Sequence, residues 1–258
     1  HQNGHGGPPP FSMMNRWFTR YLHGIENNVE NEPKAWIVRE DDSRDNPTSY
    51  PDYPNPEAKE VIFSLGSGGN WSGTLSTNAN KNDLTETLVD NFSFSGSALA
   101  QAEYSNHRLL YLTETLSEDI HISGVPSIKI KLASSKPAAN LSVWLVSLPW
   151  DKGNRRNKVK ITDNIITRGW ADPQNYKSLT ESEPLKPGKF YEFSFELQPD
   201  DQIIKAGQQI GLMIFSSDRE FTLWPDPGTE LSIDLDETKL TLPIVGGKAS
   251  FETAVQTN

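Results

Sequence analysis

Acid–base chemistry in this chain has five histidines to draw on, and imidazole is the side chain that gains and loses a proton near neutral pH. His5 stands in Gly4-His5-Gly6-Gly7, a loop just ahead of a helical pattern. A loop histidine on a rigid scaffold can act as a general base, and the alternative is a solvent-exposed loop residue. His1, four residues earlier, competes for the same role. His23 closes the helical pattern, where a cationic imidazole suits the C-terminal dipole. His107 and His121 fall at strand edges, and these last three read as structural.

A base needs a nucleophile. The chain has no cysteine, which excludes thiolate catalysis, thiolate zinc sites and disulfide scaffolds. A nucleophile elbow needs Gly-x-Ser-x-Gly, so that the serine sits on a strained strand-to-helix turn. Gly66-Ser67-Gly68-Gly69 with Gly73 has the wrong spacing, and Ser95-Gly96-Ser97 also fails. In α/β-hydrolases the order along the chain is Ser, acid, His. A catalytic histidine at position 5 therefore puts both partners upstream of residue 1.

Other candidate sites are weaker. Asp200-Asp201 and Asp234-Leu235-Asp236-Glu237 lack the spacing of a calcium loop and read as solvated turns. Trp71, Trp150, Trp170 and Trp224 lie in or near loops. There they could stack on sugars, though covering an interface or capping the core is the commoner use. Asn70-Trp71-Ser72, Asn91-Phe92-Ser93 and Asn140-Leu141-Ser142 match the glycosylation triplet at about chance frequency for so polar a chain.

The elements that must position these residues follow from composition and period. Of 258 residues 24 are Lys or Arg and 34 are Asp or Glu, a net charge of −10. Such a surface repels phosphate, which argues against nucleic acid and anionic membrane as partners. The longest apolar run, Ile210 to Phe215 with Gly211 inside it, is far short of the roughly 20 residues of a spanning helix.

Met13, Met14, Trp17, Phe18, Tyr21 and Leu22 recur at helical spacing, with Asn15, Arg16, Thr19 and Arg20 opposite. The spacing predicts one amphipathic helix over 12–23, capped by Ser12 and stopped by Gly24. Nothing else in the sequence offers its apolar face a partner. Residues 35–38 read as a short strand, 46–56 as an extended surface excursion rich in proline, and 66–73 as a Gly/Ser loop. Residues 74–90 carry no clear period. From about residue 92 short alternating strands follow one another: 108–114, 127–132, 141–148, 158–166, 190–197, 209–215, 230–235 and 239–244. The predicted class is mostly β, a sandwich of jelly-roll form. The boundary falls near residues 26–33.

Several segments together carry a family resemblance. His1-Gln2-Asn3-Gly4-His5-Gly6-Gly7, then Asn15-Arg16-Trp17-Phe18 and Tyr21-Leu22-His23-Gly24, resemble the end of the catalytic domain in the Xaa-Pro dipeptidyl-peptidase and cocaine-esterase-like serine hydrolases. The remainder is similar to the C-terminal jelly roll (galactose-binding-like) of that family. The match runs through residues 116–135, Ile166-Thr167-Arg168-Gly169-Trp170, Leu185-Lys186-Pro187-Gly188, and residues 206–218. Related esterases often carry an aromatic residue two positions before the histidine, where this chain has Asn3, and this leans toward the dipeptidyl-peptidase branch.

The resemblance implies that residues 1–30 are the end of an α/β-hydrolase domain and that residues 31–258 are a jelly-roll domain. It implies that His5 is the catalytic base of a Ser-His-Asp triad whose other members lie upstream, and that this chain alone is inactive. The implied reaction releases Xaa-Pro dipeptides from peptide N-termini through an acyl-enzyme, with no metal or organic cofactor. The implied partners are the N-terminal catalytic part of the same protein and a peptide with proline second, and self-association is a further expectation. Two alternatives stay open: a β-sandwich binding module for carbohydrate or protein, and a family member hydrolysing non-peptide esters or amides.

Overall fold

The computed structural model describes residues 9–39, 46–78, 83–150 and 164–256. Along the chain these form α1 (Pro10–His23), β1 (Ala35–Ile37), β2 (Thr48–Tyr50), β3 (Ala58–Leu65), β4 (Gly73–Ser76), β5 (Thr85–Val89), α2 (Gly96–Gln101) and β6 (Arg108–Leu112). There follow β7 (Ile120–Gly124), β8 (Ser127–Ser134), β9 (Leu141–Leu148), β10 (Ile165–Ala171), β11 (Phe190–Glu196), β12 (Asp200–Ile204), β13 (Gln209–Phe215), β14 (Glu230–Asp234), β15 (Lys239–Val245) and α3 (Gly247–Val255). The protein is mostly β, as the period-two pattern predicts.

The first sheet has four lines of two strands each, and in three of them the two strands are consecutive in the chain. β15 lies between β3 on one side and β7 and β8 on the other. β14 continues that central line, between β5 and the far end of β8. β11 pairs with β8 and β12 with β7, forming the outer line. The interruptions have local causes. Gly124 has φ +136°, and a Cβ there would come within 3.0 Å of Pro243 Cγ. Pro126 and Pro199 flank the same level and have no N–H for a ladder bond.

The second sheet has the order β4–β6–β13–β9–β10. Its β4–β6 pair is parallel, and the remaining pairs are antiparallel. A short β3–β4 pairing, Ser64 with Ser76 and Leu65 with Leu75, joins one sheet to the other. The main core packs Phe63, Ile128, Ile130, Leu132, Ile233 and Leu240 from the first sheet with Leu109, Tyr111, Val143, Leu145, Leu212 and Ile214 from the second. This layered arrangement is compatible with the expected jelly roll. The first sheet's other face carries charges such as Lys131, paired with Asp234 at 2.8 Å. The second sheet buries both faces: Leu110, Trp144, Val146, Met213 and Phe215 form a separate cluster under Leu99 and Ala100 of α2. Strands buried on both sides read as near-continuous apolar runs, which is how β6, β9 and β13 look in the sequence.

Some expectations need correction. The helix begins at Pro10, two residues earlier than predicted, so Ser12 lies inside its first turn and is not its cap. Proline suits that position because its missing N–H would have no helical acceptor anyway. Gly24 is the stop, at φ 67°, with its N–H and that of Ile25 donating to Arg20 O and Thr19 O. The excursion at 46–56 contains β2, which pairs with β1 and buries Tyr50. The predicted strand 158–166 falls largely outside the described residues, and the strand there is β10. Two further helices, α2 and α3, were not legible. Phe251 of α3 sits edge-on to Phe63, ring centroids 4.8 Å apart, and so closes one end of the main core.

Candidate functional site

The candidate base His5 and its rival His1 lie outside the described residues. His107 is structural: Nδ1 lies 2.7 Å from Val89 O and the ring stacks on Phe94. His23 is exposed in the last turn of α1. Among the described residues no group of three or more His, Asp or Glu is arranged to hold a metal ion.

His121 belongs to a buried polar cluster that the sequence did not suggest. Its Nε2 lies 3.0 Å from Asp201 Oδ1, and Arg39 Nε donates to the same oxygen at 2.7 Å. Arg39 also donates to Thr48 Oγ1 and to the Tyr50 hydroxyl. Asp201 is therefore no solvated turn, and its side chain is almost wholly buried. Burial pushes its carboxyl up, but hydrogen bonds from His121 and Ser123 and the charges of His121 and Arg39 outweigh that, so its pKa is lowered. Tyr53 donates to Asp200 O at 3.0 Å, and burial beside Asp201 and Asp200 raises its hydroxyl to about 12. His121 and Ser123 both address Asp201, so the histidine does not bridge acid to nucleophile as a triad requires. The cluster instead fastens β1 and β2 to β7 and β12.

A second cluster lies on the outer face of the second sheet. Trp144 Nε1 and Trp170 Nε1 both donate to Asp218 Oδ2, at 2.9 and 3.0 Å, and Asp218 has no solvent exposure. Arg168 sits over the rings of Trp144, Trp170 and Phe221, its guanidinium carbon 5.3, 5.8 and 4.3 Å from their centroids. The neighbouring Ser217 donates through both N–H and hydroxyl to the buried Asp90. The loop after β13 is thus tied down at its base while it presents Phe221, Leu223 and Trp224 outward.

The Gly/Ser loop at 66–73 wraps a carboxylate. Glu86 accepts from the N–H groups of Gly68 and Gly69, at 2.5 and 2.9 Å, and from the Tyr111 hydroxyl at 2.8 Å. Trp71, at the tip, is 57% exposed and lies 5.0 Å from the Tyr104 ring. Trp150 packs beside the cluster under α2. The Asn70 amide donates to Thr87 O and Ser105 O, and that of Asn140 to Ser217 Oγ and Leu223 O, so both are engaged in holding loops together.

The helix α1 shows the two faces the sequence predicts. Its polar side is bound to the segment that follows: Arg16 pairs with Glu32, Arg20 with Glu30 and Glu26, and Asn27 Nδ2 donates to Arg16 O at 2.8 Å. The hydrogen bond with Glu30 raises the Arg20 pKa, and its counterpart lowers that of Glu30. On the other side Phe11, Met14, Trp17, Phe18, Tyr21 and Leu22 are all exposed. Trp17 and Tyr21 stack on each other at 4.9 Å.

Comparison with known proteins gives these features a context. A family profile described as the X-Pro dipeptidyl-peptidase C-terminal non-catalytic domain matches residues 27–255. A putative Xaa-Pro dipeptidyl-peptidase of Rhodopirellula baltica is 62% identical over 253 residues, covering 98% of this chain and 40% of that protein. The corresponding Bacillus anthracis protein is 36% identical over 251 residues, 95% of this chain and 39% of its own length. The chain thus spans about two fifths of the curated relatives it matches. A CocE/NonD family hydrolase from Staphylococcus aureus superposes with TM-score 0.66 at 16% identity, covering 91% of this chain and 45% of that one. An aminopeptidase from a marine sediment thaumarchaeon gives 0.65 at 15%, covering 95% and 47%. These last two share the fold.

Proposed function

The chain belongs to the X-Pro dipeptidyl-peptidase C-terminal non-catalytic domain family, and on that premise we propose that it is the closing part of a longer serine hydrolase. Residues 1–30 end the catalytic domain, and residues 31–258 form the β domain that braces it. The observation that carries this reading is α1. Six large apolar side chains on one face of a 14-residue helix are left in solvent, while the opposite face is fastened to this chain. A contiguous apolar face of that kind marks a surface built to be covered. The two fifths coverage of the relatives supplies what would cover it.

In the longer protein an upstream serine attacks the carbonyl of the second residue of the substrate, which is proline in the preferred peptides. His5 takes the serine proton and returns it to the leaving amine, and an upstream aspartate orients the imidazole. The β domain contributes no group to these steps. Its part is to hold the last catalytic loop and helix at a fixed distance from a rigid sandwich.

The test is His5→Ala in the longer protein, assayed with an Ala-Pro chromogenic substrate. Turnover falls by at least about 10³, the scale of losing a triad member, while the unfolding midpoint is unchanged. Retained turnover removes His5 from the mechanism. An intact protein inert to Ala-Pro substrates but active on simple esters moves the function to the non-peptide branch.

A further inference from the structure

We propose that Arg168 is the floor of a binding site that takes a carboxylate group. Arg168 is only 9% exposed, and its Nε is buried without a hydrogen-bond partner. Among the described residues no carbonyl or carboxylate accepts from its guanidinium. The buried Arg108 and the partly buried Arg39 are served differently. Arg108 donates to the carbonyls of Leu99, Gly69 and Ala102. Arg39 donates to Asp201, Thr48 and Tyr50. A buried guanidinium N–H with no acceptor is costly, and a site that keeps one gains when an anion arrives.

The Asp218 carboxylate is engaged elsewhere. Asp218 Oδ2 is taken by the two indole N–H groups, and Oδ1 accepts from Glu220 N at 3.2 Å. The charges of Asp218 and Glu220 do act on Arg168 from a distance, yet burial outweighs them and lowers its pKa. The guanidinium carbon lies over all three aromatic rings, so the protein gives it π contact in place of a hydrogen bond. An edge-on guanidinium presents paired N–H donors that match a planar carboxylate. One arginine beside Glu220, in a chain of net charge −10, suits a monoanion better than a phosphate dianion. Phe221, 48% exposed, sits on the rim and would exclude water from the pair.

The carboxylate has two sources, an acidic side chain from the rest of the longer protein or a free ligand. The probe is sodium acetate, titrated against sodium chloride at equal ionic strength and followed by tryptophan emission, since Trp144 and Trp170 flank the site. The 258-residue chain gives a saturable change. Arg168→Met weakens it at least about tenfold, and Arg168→Lys weakens it less, because an ammonium attracts but does not pair edge-on. Circular dichroism confirms that each variant folds. No response in the wild-type chain, or an equal one in Arg168→Met, overturns the proposal. The same titration on the longer protein separates the sources: silence there with a response in the chain means a side chain already fills the site, and a response in both means a free carboxylate. No readout is turnover, so the proposal stands or falls apart from the hydrolase reading.

Discussion

Arg108 donates from Nη1 to the carbonyl oxygen of Gly69 at 2.5 Å, from a position with no solvent exposure. Nε and Nη2 reach Leu99 O and Ala102 O, so one side chain joins the Gly/Ser loop to the C-terminal end of α2. Burial lowers its pKa to about 10, which leaves it charged at neutral pH. Arg108→Met strands three carbonyls and costs about 2–4 kcal/mol. Urea unfolding should show a lower midpoint with unchanged slope. A midpoint equal to wild type would mean that water replaces the guanidinium.

Asp201→Asn removes the charge that Arg39 and His121 share, and breaking such a buried pair costs about 3 kcal/mol. Amide exchange should rise first over 48–50, the strand that Arg39 holds. The pH dependence has a definite sign. The folded carboxyl titrates below its ordinary 3.8, so its contribution is present above that value and is lost as pH falls through the folded value. Stability of the wild type should therefore fall more steeply in that acid window than stability of Asp201→Asn. Parallel curves would remove Asp201 as the cause.

Legibility followed solvent. β8 was readable because Ile128, Ile130 and Leu132 face the core while Lys129 and Lys131 face water. Gly24 was readable because a left-handed stop favours glycine whatever surrounds it. Asp201 was not, because its partners Arg39 and His121 stand 162 and 80 residues away, and an acidic pair in isolation reads as a turn. The helix α2 has six residues and no period to detect, and Leu99 and Ala100 gain their reason only from the cluster around Trp144 that they cover. Arg168 and Asp218 fell within segments that carried the family resemblance, yet nothing local marked their shared aromatic setting.

The apolar face of α1 gives a prediction in two settings. In the 258-residue chain, Trp17→Ser with Tyr21→Ser leaves the unfolding free energy within about 0.5 kcal/mol of wild type, since both side chains are exposed. In the longer protein the proposed docking of the catalytic part on this face predicts that the same pair lowers the midpoint by several degrees. Equal, small effects in both would mean that the catalytic part does not rest on this helix.

Gly96 opens α2 directly against Trp144. A Cβ at Gly96 would lie 2.3 Å from the indole, so Gly96→Ala must displace either the helix or the ring, at about 1–3 kcal/mol. Near-ultraviolet circular dichroism reads the Trp144 environment directly. An unchanged spectrum and midpoint would show that the helix yields without cost.

The pairing of β15 with β3, β7 and β8 has a consequence for how the chain is made. Residues 58–65 find their central neighbour only when residues 239–245 exist, so the first sheet cannot close while the ribosome is still at work upstream. Pairings this distant are slow to form, and parts emerging earlier have time to fold first. A nascent chain stopped before residue 239 would carry an unclosed first sheet, its β3 edge open to neighbours and to proteases. Ribosome-bound intermediates of graded length should turn protease-resistant in one step, after β15 has left the exit tunnel.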